Sequence, residues 1–96
     1  MFRIKDINGD SIVVDNGWVE KLRLNDSRGR APAQDYVGTD VKETSRRKRI
    51  VFGEKEELLH VIVNVGTWMS LMVKAEQRPE VDQLIAELER ARDAQS

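Results

Sequence analysis

No cysteine occurs in this chain, which removes disulfide bonds, thiolate metal ligands and cysteine nucleophiles from consideration. Histidine is nearly absent too. His60 stands alone, so a zinc site would have to be assembled from carboxylates, and no metal or other cofactor is expected. There is no run of about 18 apolar residues that could span a bilayer. The opening MFRIKDINGD carries charges at Arg3, Lys5, Asp6 and Asp10 and leaves no apolar stretch for a signal peptide. Together these two absences make a cytoplasmic location the expectation. Neither sign of charge dominates: the formal net charge is -1, which argues against a surface that binds polyanions as a whole. The charges are unevenly placed, with 12 Lys and Arg against 9 acids in residues 1–55 and 4 against 8 in the remainder.

What is present is a balance of 40% hydrophobic and 34% charged residues, which suits a folded core rather than disorder. Ninety-six residues provide for one core, so a single domain over 1–96 is expected. The richest apolar stretch runs from Leu58 to Glu76. Leu59, Val61, Val63 and Val65 share one side of an extended strand, and Met69, Leu71, Val73 and Ala75 do the same after Gly66-Thr67. This reads as a β-hairpin whose buried side chains are each worth roughly 1.5 to 3 kcal/mol. Residues 68–76 also contain good helix formers, but their alternation and the nearby Pro79 favour a strand.

Earlier in the chain, a strand from Phe2 to Ile7 leads to Asn8-Gly9, a second from Ser11 to Asp15 leads to Asn16-Gly17, and a third runs from Trp18 to Leu24. Asn-Gly tolerates the two positive φ angles of a type I′ turn, so a three-stranded meander is expected. Residues 25–40 mix Gly, Pro, Asp and Ser and read as a long loop anchored by Tyr36 and Val37, the first place to look for a partner surface. Val41 to Phe52 reads as a strand, and Gly53 to Glu56 as the tip of its hairpin. Pro79 suits a helix's first turn, and Val81, Leu84, Ile85, Leu88 and Ala91 form one apolar stripe, placing an amphipathic helix over 79–94. The expected fold class is mostly β within α+β: an antiparallel sheet or bent β-barrel of about six strands, closed by one C-terminal helix.

That succession of strands ending in one amphipathic helix resembles the pleckstrin-homology-like domain. IVVDNGWVEKLRL is similar to the second and third strands of small bacterial members, and PEVDQLIAEL to their closing helix. The resemblance implies a bent barrel with one end plugged by the helix, and a non-catalytic adaptor role. Lipid-headgroup recognition is not implied for any residue here, because the first loop is Asn8-Gly9 flanked by Asp6 and Asp10 rather than a roomy basic segment.

Among groups that could carry chemistry, Arg46, Arg47, Lys48 and Arg49 form the densest cluster of charge. With Lys42, Arg28 and Arg30 they could make a strip for phosphates or other anions. An extended strand would split them between two faces, so a solvated edge that guards against aggregation is the competing reading. His60 lies on a sheet face with no nucleophile in view, and the carboxylates of residues 80–89 fall on a helix surface rather than in a cleft. Trp18 and Trp68 follow turns and are expected to be at least partly buried. A non-enzymatic interaction module is expected, binding a protein or peptide partner and able to self-associate. The alternative is nucleic-acid or anionic-ligand binding through 46–49 with Arg28 and Arg30.

Overall fold

The computed structural model describes residues 1–47 and 55–95. Within them lie β1 (Phe2–Lys5), β2 (Asp10–Asp15), β3 (Trp18–Arg23), β4 (Asp26–Pro32), β5 (Gly38–Arg47), β6 (Lys55–Asn64), β7 (Trp68–Lys74) and α1 (Arg78–Gln95). The strands form two antiparallel meanders, β1-β2-β3-β4 and β5-β6-β7. The barrel and the count of about six strands are thereby corrected: seven strands occur among the described residues, in two separate sheets. Barrel closure fails because β4 and β5 are joined through a 3-10 turn at Ala33–Asp35 instead of pairing.

Two identical dipeptides make different turns. Asn16 and Gly17 have φ of 49° and 80° and link Asp15 directly to Trp18, the type I′ geometry. At Asn8-Gly9 only Gly9 has positive φ, at 84°. The chain there makes a wider loop in which Gly9 N–H donates to Asp6 C=O at 3.3 Å. The second type I′ expectation holds and the first does not, because Asp6 accepts from the N–H groups of Asn8 and Asp10 at 2.8 and 2.9 Å and props the loop open.

The long loop expected over residues 25–40 is corrected as well. Leu24-Asn25 is a two-residue turn, and Asp26–Pro32 pairs with β3, with Arg28 inserted as a bulge between the Lys21–Gly29 and Leu22–Ser27 pairs. Pro32 is tolerated because β4 is an edge strand. The strand at Trp68 and the helix match expectation. The end of the expected 41–52 strand and the first half of the 53–56 tip lie outside the described residues, while Lys55 and Glu56 belong to β6 rather than to a turn.

The core is shared by both sheets and the helix. Ile4, Ile12 and Val19 face Val61, Val63, Leu71 and Val73, and Val81, Leu84 and Leu88 of α1 complete the enclosure. The helix start is tied to both sheets by Gln77, whose side-chain amide donates to Lys5 C=O and whose oxygen accepts from Lys74 N–H, both at 3.0 Å.

Candidate functional site

The two sheets meet along the outer edge of β7, and the site follows from how that meeting is made. Strand geometry turns the backbone groups of alternate residues away from the neighbouring strand, here Met72, Ser70 and Trp68 away from β6. At Met72 the seam is closed: its C=O accepts from Ile7 N–H and its N–H donates to Asp6 Oδ2, both at 3.0 Å. At Ser70 it is bridged by one side chain, because Lys21 reaches out from β3 and its ammonium donates to Ser70 C=O. Past Ser70 the seam is open. The backbone groups of Trp68 have no partner from the first sheet among the described residues.

Lys21 stands where an apolar residue would be expected. In register it continues the row Ile4, Ile12, Lys21, Gly29 across the inner face of the first sheet. Its side chain is 17% exposed, and Asp10 Oδ2 lies 3.8 Å from its Nζ. The other Asp10 oxygen is buried and has no hydrogen-bond partner among the described residues. Gly29 ends the row without a side chain, and a Cβ placed there would meet nothing within 4 Å.

The result is a cleft of about 390 Å³, with Lys21, Arg23, Arg28 and Gly29 on one wall and Trp68 and Ser70 on the other. That volume is at the small end of ligand-binding clefts, which run from roughly 300 to 1,000 Å³. Three cations face one carboxylate, Asp10. Arg23 and Arg28 are exposed, and neither has a carboxylate within ion-pair distance among the described residues. Trp68 is 66% exposed and offers an aromatic surface at the mouth. A smaller recess of about 200 Å³ continues past Asp10 and Lys21 to His60.

The residues singled out from sequence are not brought together. Arg28 lines the cleft, but Arg30 lies on the opposite face of the first sheet, its guanidinium 4.1 Å from the centre of the Trp18 ring. Tyr36 is a core residue, 5% exposed, with its hydroxyl 2.7 Å from Thr39 Oγ1 and Arg92 lying over its ring. Arg46 pairs in register with Glu56, eight residues along β6 from the Asn64 that faces Trp68, or roughly 26 Å at about 3.3 Å per residue. Arg47 is one step farther out, and Lys48 and Arg49 lie outside the described residues. Trp18, 40% exposed, is partly buried as expected, whereas Trp68 is 66% exposed and covered over only a third of its surface, because Met69 takes the inward position beside it.

Sequence reasoning missed Asp10, Lys21, Arg23 and Ser70. The signal for Lys21 and Arg23 was the alternation Val19, Lys21, Arg23, which puts both cations on the side of the sheet that bears the core once Val19 is buried. Among the described residues no group of three or more His, Asp or Glu side chains could hold a metal ion, and no helix is long and apolar enough to cross a membrane. No family model, curated protein or solved structure matches the chain.

Proposed function

We propose that this chain is a non-enzymatic interaction module that takes an extended peptide segment of a partner protein against the open edge of β7. The observation that carries this reading is the seam: closed at Met72, bridged at Ser70, and open at Trp68 with strand backbone groups facing a cleft. An extended chain can satisfy such groups by pairing as an added strand, while side-chain niches supply selectivity. Trp68 beside those groups suits the role, since exposed aromatics often anchor interfaces. The element order, strands followed by one C-terminal helix that covers the core, supports the pleckstrin-homology-like resemblance and its adaptor role.

The test is a selection from a library of random peptides displayed on phage, followed by amide chemical-shift mapping with the recovered peptides. Shifts centred on Trp68 and Ser70, abolished by Gly29→Val, are the expected outcome. The valine side chain would enter open space and narrow the cleft beside Lys21 without disturbing the pairing of β4. Failure to enrich any peptide, or shifts confined to another surface, would overturn the reading.

A further inference from the structure

The charge of the cleft specifies what kind of segment it would take. Resting on the strand-addition reading above, we infer that the cleft selects an acidic segment, with a Glu or Asp carboxylate of the partner seated between Arg23 and Arg28 while its backbone lies along Trp68–Ser70. Arg23 and Arg28 both line the cleft, both are exposed, and neither is paired with an acid of this chain among the described residues. Guanidinium matches a carboxylate with two parallel hydrogen bonds, and a site with unspent donors gains most from a ligand that accepts them. Lys21 contributes positive charge from below, although its donors are already directed at Ser70 and Asp10.

An acidic peptide fits better than a nucleic acid for two reasons visible in the fold. The basic surface is short: residues 46 and 47 end β5 at the far end of the second sheet, so among the described residues no cationic track extends from the cleft for a phosphate backbone to follow. Asp10 on the floor and Asp6 in the adjoining recess would repel a polyanion passing through, whereas a segment with one or two carboxylates can place them on the arginine side. Successive side chains of a strand point to opposite faces, so acids at alternate positions would all face the cleft.

The phage-selected peptides provide the test, together with a synthetic peptide alternating Glu and Thr, its Gln-Thr counterpart, and oligothymidylate. Tryptophan emission in a Trp18→Phe background leaves Trp68 as the reporter. Enriched peptides should carry Glu or Asp at alternate positions, and the Glu-Thr peptide should bind more tightly than Gln-Thr. Arg23→Gln or Arg28→Gln should each weaken acidic binding about threefold to fivefold, and the double variant tenfold or more, in keeping with exposed charge pairs. Both arginines are exposed, so these variants should retain the fold. Enrichment of neutral peptides that Gly29→Val still blocks would overturn the acidic specificity and leave strand addition standing. No enrichment would overturn both. Oligothymidylate binding that disappears in the double arginine variant would overturn the peptide in favour of a nucleic acid.

Discussion

Asp6 shows how much one side chain can organise. A single carboxylate accepts three backbone N–H groups, from Asn8, Asp10 and Met72, and so shapes the first loop and joins the two sheets at once. Hydrogen bonds to a charged group are worth more than neutral ones, and donors left without an acceptor add a penalty. Asp6→Ala should therefore lose about 2 to 4 kcal/mol of stability, read as a fall of roughly 10 to 20 °C in the thermal midpoint of a chain this size. Asp6→Asn should fall between, since one oxygen can still serve the loop while its amide faces the N–H of Met72. A thermal melt of Asp6→Ala within 2 °C of the parent would show that the seam is held elsewhere. None of this could be seen in the sequence, where Asp6 marks only the end of a strand. Lys21 was equally hidden, because a charged residue in an alternating strand is ordinarily assigned to solvent, and here its chain length lets it cross the interior to a carbonyl of the other sheet.

At the scale of elements, legibility followed apolar patterning. The β6–β7 hairpin and α1 were readable because their buried faces are nearly pure in Val, Leu, Ile and Met. β4 was not, since DSRGRAP offers only Ala31 to the core and a glycine to the cleft, and its strand conformation is imposed by β3 rather than by its own composition. The turn that delivers it is also poorly suited to its sequence: Leu24 has φ of 58° and is 66% exposed, so a branched apolar residue sits in left-handed backbone with little burial in return. Leu24→Asn should stabilise the chain by about 0.5 to 1 kcal/mol, because asparagine accepts this conformation at lower cost. Chemical denaturation would register it as a higher midpoint with an unchanged slope. A lower midpoint would mean that Leu24 packing outweighs the backbone strain.

For the whole molecule, the sequence conveyed one helix over a β core but not how the strands divide between sheets. The reason is physical: sheet membership depends on which edges meet, and the decisive contacts are polar ones such as Asp6 to Met72, made between residues 66 positions apart. The same division accounts for the scattering of the cationic residues. Arg28, Arg30 and Arg46 look like members of one strip in the linear chain, yet they occupy a cleft, an outer face and a distant sheet end.

The unequal length of the second sheet's strands has a consequence for motion. β7 ends opposite Leu58, while β5 and β6 continue as a pair through Ser45–Glu57 to Arg47–Lys55. A two-stranded ribbon is barely stable by itself in water, so this extension draws its order from the three-stranded body behind it. In heavy water the backbone amides of Arg46 and Glu56, which the alternation of the ladder turns toward each other, should take up deuterium about a hundredfold faster than those of Val61 and Val63, which are flanked by strands on both sides. Uniform protection along β6 would instead require a brace along the ribbon's outer edges. If the faster uptake is found, the second sheet has a firm root at the cleft and a far end that opens independently, so a ligand seated near Trp68 could slow exchange at the root while leaving the distal pair unaffected.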